Sequence, residues 1–349
     1  MSVKNFIWRV QSSSLKRMRM YVRQIHEESG VPKPLIVSDM LWCILRYGVG
    51  YLEYQVFGFV YVRGKKRRTF MTMKDNLALV ESVNDKQYDP IFTDKSKFNH
   101  RFAAYIGREW LDLRQADLAA FSAFVREKDY IFAKEADGFG GVGVTRVNLK
   151  AEPDIPGLYQ RLKENRQFVV EERILQHPEL DRLCPSSINT IRIVTLAVEG
   201  KVHVMYSLIR IGNGKNHVDN ISSGGLYCPV DETGVLFKPG FCDKTGAYYE
   251  EHPMTKTRLV GFQIPFYDRA VALCKRAALE VPQVGYVGWD VAIRPDGPIL
   301  VEGNTIPGYD MCQNYYHLRE DKTGVLPRFQ AVLENGSAKD KPGGKRQVS

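Results

Sequence analysis

Apolar residues follow two rhythms along this chain. Up to about residue 128 they recur at helical spacing or in aromatic clusters; beyond it they come in short strand-like runs. A basic stretch from about residue 4 to 30 predicts a helix, closed by Ser29-Gly30 and Pro32. A second helix is predicted from a cap near Ser38-Asp39 to about Leu45. The segment YGVGYLEYQVFGFVYV is aromatic, punctuated by glycine and suited to packing under a larger domain. Asp94-Lys95 opens a predicted helix over KSKFNHRFAAYIG. Leu111, Leu118, Phe121 and Phe124, at near-helical spacing, predict another over residues 107–128, with an ordinary core face.

Strand-like runs follow at Tyr130–Lys134, QFVVEERI, INTIRIVTLAV and KVHVMYSLIRI, then a helix around Tyr267–Val281 and a hairpin in the 290s. Several strand pairs are close hairpins. That pattern predicts an α+β fold with antiparallel sheets, not a doubly wound parallel sheet. No internal repeat is present.

The hairpin carries the most pointed chemistry. Val291, Ile293, Ile299 and Val301 alternate on either side of Arg-Pro-Asp-Gly-Pro. A three-residue loop, Pro295-Asp296-Gly297, sets Arg294 opposite Pro298 and Asp290 opposite Glu302, with Asn304 on the same face. A two-residue loop would slip the register and send Glu302 to the other face. Two facing carboxylates repel unless a cation lies between them. Oxygen ligands without His or Cys suit magnesium, which usually accompanies nucleotide phosphates. A solvated acidic hairpin face is the competing reading.

Other candidates precede it. KEADGFGGVGV holds Gly138, Gly140, Gly141 and Gly143 but is neither a Walker A loop nor the dinucleotide fingerprint. It reads as a glycine-rich hairpin able to lay backbone N–H groups over phosphates, with Lys134 entering it, or else as a flexible turn. In QFVVEERI, Glu171 and Glu172 after two valines suit an adenine pocket with apolar walls, or a solvated charged run. Arg192 and Arg210 interrupt apolar strands, so each must meet a ligand, such as phosphate or an oxyanion, or a structural ion pair. VDNISSGG follows, with Asn220 and Gly224-Gly225.

Composition narrows the classes. At 349 residues, with 44% hydrophobic and 26% charged residues, the chain is of ordinary globular type and of a length for two domains or one elaborated domain. No apolar run reaches the roughly 18 residues that span a bilayer. The basic N-terminus lacks the apolar segment of a secretory signal. Six scattered cysteines without a CxxC pair predict buried thiols in a reducing compartment. Seven histidines without HExxH spacing make a zinc site improbable. The net charge of +9 gathers near residues 16–23, at 65–68 and in the C-terminal KDKPGGKRQVS, which is expected to be disordered. No RNA-recognition signature, helix-turn-helix or zinc finger accompanies it, so no nucleic-acid partner is expected.

The order of these signals, more than any one of them, resembles the ATP-grasp superfamily over residues about 91 to 330. The final Glu-x-Asn-x-x-Pro-Gly at Glu302–Gly308 and the arginine strands are similar to ribosomal-protein glutamate ligases. EERILQHPELDRLCPSSINTIRIVT and GWDVAIRPDGPILVEGN resemble the sugar-transfer-associated ATP-grasp proteins, also described as glutamate-ligase-related. The resemblance implies two α+β lobes with antiparallel sheets gripping ATP, after a mostly helical region over 1–90. The small lid lobe would span about 129–172, the large lobe about 180–330, and a tail 331–349. It implies that Asp290, Glu302 and Asn304 hold two magnesium ions, with manganese as an alternative. Lys95 and Lys134 would bind phosphates, with Gly140, Gly141 and Gly143 as the lid. Glu171, Glu172 and the backbone near Ile174 would take adenine. Arg192, Arg210 and Asn220 would stabilise the transferred phosphate and the tetrahedral intermediate. D-alanine ligases carry an arginine two residues before the first metal carboxylate; here Gly288 stands there.

The activity this implies is an ATP-dependent carboxylate–amine ligase, acting through an acyl phosphate in polysaccharide or glycoconjugate synthesis. A peptide or amino-acid ligase and a hydroxyl kinase are the alternatives. The expected partners are small-molecule or glycan carboxylates and amines. The expected location is the cytoplasm. The N-terminal helix that carries Trp8, Val10, Leu15 and Met18 reads first as one packed on the core; the alternative is that it lies on an anionic membrane, in contact with membrane-bound saccharide machinery.

Overall fold

A computed structural model describes residues 15–138, 143–214 and 224–337. They form two compact units. One takes the chain up to Leu79 together with the stretch from Gly308; the other is Val80–Pro307.

In the first unit, helix Leu15–Ser29 is followed by helix Lys33–Tyr47. The second helix starts five residues before Ser38. Pro32 caps it in an extended conformation and a proline sits in its first turn, where no intrahelical N–H is needed. It stops at left-handed Gly48, whose N–H returns to the carbonyls of Cys43 and Ile44. The glycine-punctuated segment becomes a short helix, Tyr51–Val56, and an aromatic core of Tyr54, Phe57, Phe59 and Phe70. Arg67 is buried beneath it. Its guanidinium meets both carboxylate oxygens of Asp39, at 2.8 and 2.5 Å, and its Nε donates to the Val62 carbonyl at 2.7 Å. Those partners offset the cost of burying the charge. The helix Leu326–Ser337 closes the unit.

The second unit carries two antiparallel sheets. The four-stranded sheet runs β1-β4-β2-β3, from β1 (Trp110–Asp112), β2 (Tyr130–Lys134), β3 (Val144–Asn148) and β4 (Val169–Glu172). The seven-stranded sheet runs β11-β10-β5-β6-β7-β8-β9. Its strands are β5 (Ile191–Val198), β6 (Lys201–Ile211), β7 (Leu226–Val230), β8 (Gly240–Cys242), β9 (Ala247–Tyr249), β10 (Tyr286–Arg294) and β11 (Gly297–Asn304). Helix Tyr267–Glu280 buries Ala270, Cys274 and Ala277 against the large sheet. Phe92 and Phe102 pack on Trp289, the Phe102 and Trp289 rings 5.4 Å apart, and Phe98 packs on both phenylalanines.

Two helix expectations are corrected here. Residues 107–128 do not form one helix. Trp110–Asp112 is a strand, with Trp110 opposite Glu171, and the Asp112 carboxylate caps a turn through the Arg114 N–H at 2.9 Å. Such a local bond competes with helix formation. A helix then begins at Leu118, where Asp117 accepts from the Ala120 N–H at 2.8 Å. The stretch after Asp94 is likewise two short helices, Lys95–Arg101 and Ala103–Ile106, ended by left-handed Gly107.

The hairpin reaches the expected face by a different route. Its loop is only Pro295-Asp296, so Arg294 faces Gly297, not Pro298. Left alone, that register would carry Glu302 to the far side. A β-bulge intervenes: Val291 faces Leu300 but Asp290 faces Glu302, leaving Val301 as the extra residue. The bulge restores the face that the short loop would have lost.

Candidate active site

Three neighbouring strands set charges in one cross-strand row. Asp290 on β10 lies opposite Arg192 on β5 and opposite Glu302 on β11. Asp290 is fully buried. Arg192 forks onto it, Nε to Oδ1 and Nη2 to Oδ2, the latter at 3.0 Å. Arg210, on β6, donates from Nη2 to Oδ2 at 2.5 Å and to the Thr190 hydroxyl at 2.9 Å. Burial alone would raise the Asp290 carboxyl's proton affinity; Arg192 and then Arg210 overcome it and hold the group well below the usual carboxylate range. Glu302 is shifted the other way, raised by burial and then by the Asp290 carboxylate beside it. Asn304 Nδ2 lies 3.4 Å from Glu302 Oε1 and from the Gly288 carbonyl.

A second cluster forms where the small sheet meets this hairpin. Glu171 on β4 is 2% exposed. Its Oε2 accepts from Lys134 Nζ at 2.5 Å; its Oε1 accepts from Arg108 Nη2 and from Asn99 Nδ2, each at 3.0 Å. Burial raises this carboxyl, but Arg108 and Lys134 prevail and lower it. Arg108 also donates to the carbonyls of Leu300 at 2.6 Å and Val301 at 3.3 Å, tying the cluster to the bulge. Lys95 joins the two clusters. Its Nζ donates to the Gly138 carbonyl, and burial lowers its pKa while Glu302 and Glu171 pull it up and Lys134 pushes it down.

The remaining candidates separate. Strand alternation turns Glu172 away from Glu171, and its Oε1 accepts the Glu109 N–H at 2.9 Å. Ile174 is half-buried, just past the strand end. Gly143 has φ +74°, a left-handed backbone that favours glycine; a Cβ there would also meet the Glu135 carboxyl at 2.8 Å unless that side chain moved. Gly140, Gly141 and Asn220 lie outside the described residues. Arg108 and Asn99 were not singled out in the sequence. Neither belongs to a spaced motif; the one local cue for Arg108 is the helix-ending glycine before it.

Five cations (Lys95, Arg108, Lys134, Arg192 and Arg210) thus surround three carboxylates (Glu171, Asp290 and Glu302). An excess of positive charge at a partly open cluster suits a polyanion such as a nucleotide polyphosphate. The oxygen donors of Asp290, Glu302 and Asn304 fit magnesium. The raised proton affinity of Glu302 comes from burial and from the Asp290 carboxylate beside it, a repulsion that a cation shared between the two would relieve. Asp290 already accepts from two guanidiniums, so it would share a metal with them or release Arg210.

The sequence matches the family described as Sugar-transfer associated ATP-grasp over residues 74–332. The chain belongs to that family. Its two antiparallel sheets are those of an ATP-grasp fold; in sequence, helices of the first unit both precede and follow them. No curated protein matches the chain. Among solved structures, D-cycloserine synthetase DcsG is similar at 17% identity, covering 75% of this chain and 79% of its own, with a TM-score of 0.42. The D-alanine-D-alanine ligase from Coxiella burnetii shares 12% identity over 72% of this chain and 60% of its own, at a TM-score of 0.41. The ATP-grasp ligase PsnB, complexed with a phosphomimetic variant of its minimal precursor, Mg and ADP, shares 14% identity over 73% of this chain and 61% of its own, at 0.43.

Proposed function

We propose that this ATP-grasp protein is an ATP-dependent ligase joining a carboxylate to an amine in the building of a polysaccharide or glycoconjugate. The observation that carries the reading is the row Arg192–Asp290–Glu302, set beside the Lys95, Lys134 and Arg108 cluster within a family of sugar-transfer association. ATP's γ-phosphoryl passes to a carboxylate oxygen, giving an acyl phosphate and ADP. The amine nitrogen then bonds to the acyl carbon, loses a proton, and inorganic phosphate leaves with the former carboxylate oxygen. Phosphoryl transfer asks a protein chiefly for positioning and charge neutralisation. Asp290, Glu302 and Asn304 would hold magnesium, which neutralises the β- and γ-phosphate oxygens when bound. Lys95 and Lys134 take phosphate charge. Glu171 fixes Lys134 and Arg108 in place, which leaves adenine to Glu172 and the backbone at Ile174. Arg192 and Arg210 steady Asp290 and face the charge that develops on the transferred group. No nucleophilic side chain is required.

The test is ADP release and hydroxamate formation by the purified protein with Mg-ATP and hydroxylamine, across amino acids, uronic acids and nucleotide-linked uronic acids. Glu302→Ala serves as the blank. The expected result is a hydroxamate that depends on one carboxylate and on Glu302. ADP formed with a sugar alcohol and no hydroxamate would replace the ligase with a kinase.

A further inference from the structure

The helix Lys33–Tyr47 is apolar on its outer side as well as its inner side. Ile36, Met40 and Cys43 are buried beneath it. Opposite them, Leu35, Leu41, Trp42, Ile44 and Leu45 are 59, 57, 56, 45 and 85% exposed. Leu41 and Leu45 stand one turn apart, and Leu35 and Trp42 two turns apart, so the exposed side chains make one continuous stripe. A helix that is hydrophobic all round is ordinarily covered on every side. A cleft of about 350 Å³ runs along the stripe, between Leu35 and Trp42 on one side and Val60 and Arg63 on the other.

Within residues 33–68 the charges are almost all of one sign; from outside that stretch, the exposed Glu27 carboxylate lies near Lys33 and that of Asp321 near Lys66. Residues 33–68 hold seven lysines and arginines against two acids, Asp39 and Glu53. Both acids are engaged within the unit: Asp39 with Arg67 and Tyr54, Glu53 with the Gly50 N–H and the Tyr309 hydroxyl. Lys33, Arg46, Arg63, Lys65, Lys66 and Arg68 are exposed. Among the described residues, no helix is long and apolar enough to cross a membrane.

We propose that this helix is a membrane-surface anchor, which lies in the interface of an anionic phospholipid bilayer with its leucines and Trp42 in the acyl boundary and the surrounding arginines and lysines on the headgroups. A broad apolar face rimmed by cations is what such a surface recognises. A second copy of the chain would set this positive rim against itself. The assignment does not depend on the ligase reading and uses none of its residues.

Co-sedimentation of the full-length protein with vesicles of phosphatidylcholine, alone or with one-third phosphatidylglycerol, tests it. The protein should sediment with the anionic vesicles and not the neutral ones, and binding should weaken as salt screens the headgroups. Leu41→Glu with Leu45→Glu should weaken binding by about tenfold or more, since it removes buried apolar surface and adds like charge. Because both side chains are exposed, the thermal melt of the double variant should match wild type. Tryptophan emission should shift to the blue on vesicle addition in the wild type, and not in the double variant. Absence of binding to anionic vesicles, or equal binding by the double variant, would overturn the proposal. So would a dimer in sedimentation equilibrium that the double variant dissociates.

Discussion

Asp290 and Glu302 face each other across two strands and behave in opposite ways, because two arginines reach one of them. Asp290→Asn removes the carboxylate that pairs with buried Arg192 and half-buried Arg210, and should cost about 3–5 kcal/mol in denaturant unfolding. Glu302→Gln removes a repulsion instead. The folded-state pKa of Glu302 is raised, so its ionisation costs stability once the pH passes the ordinary glutamate value of about 4.3. The variant should therefore gain on wild type as pH rises from 4 to 8, read from paired unfolding curves. A gap that narrows over that range would remove the repulsion from the account. Glu171 and Asp290 carry the reverse sign. Their folded pKa values are lowered, so the stability they add is present above about pH 4 and is lost as pH falls further.

Among the elements, the hairpin shows both how much the sequence carries and where its reading stops. Alternation and the Pro-Asp-Gly turn placed Asp290 opposite Glu302, and they do face each other. The loop length expected from Gly297 was one residue too long. A bulge at Val301 makes good the difference, and a bulge leaves no mark in a hydrophobic pattern. The four-residue strand Val169–Glu172 was legible as a strand, but the pair Glu171-Glu172 was read as one unit when alternation splits it across two faces. Leu111 was assigned to a helix because a short strand and a helix can share one apolar spacing. Gly107 belongs at this scale as well. It has φ +52°, ends the helix at Ile106 and delivers Arg108 to Glu171. A Cβ there would lie 2.5 Å from the Ile299 side chain. Gly107→Ala should lower stability by about 2 kcal/mol, from left-handed strain plus overpacking, visible as a shift in the denaturant midpoint. An unshifted midpoint would mean that the turn is freer than its geometry implies.

Across the whole molecule, the order of chemical residues was easier to read than their partners. Lys134, Glu171, Arg192, Arg210, Asp290 and Glu302 come together in one unit although they span more than 160 residues of chain. The sequence left structural ion pairs open for the two strand arginines but did not name their partners. Glu171 holds Lys134, and Asp290 holds both strand arginines, because pairing across strands depends on register and not on spacing. A site so cross-linked should be tightened by its ligand. Mg-ATP should raise the melting temperature of the wild type in proportion to the logarithm of its concentration above Kd. The magnesium-dependent part of that rise should vanish in Glu302→Gln.

The most direct measurement is calorimetric titration of a non-hydrolysable ATP analogue into the wild type and into Glu302→Gln, each with magnesium and with EDTA. The account predicts binding by the wild type that strengthens with magnesium, and in the variant a folded protein whose weaker binding no longer responds to the metal. A wild type that binds no nucleotide, or a variant that keeps the full magnesium response, would contradict it.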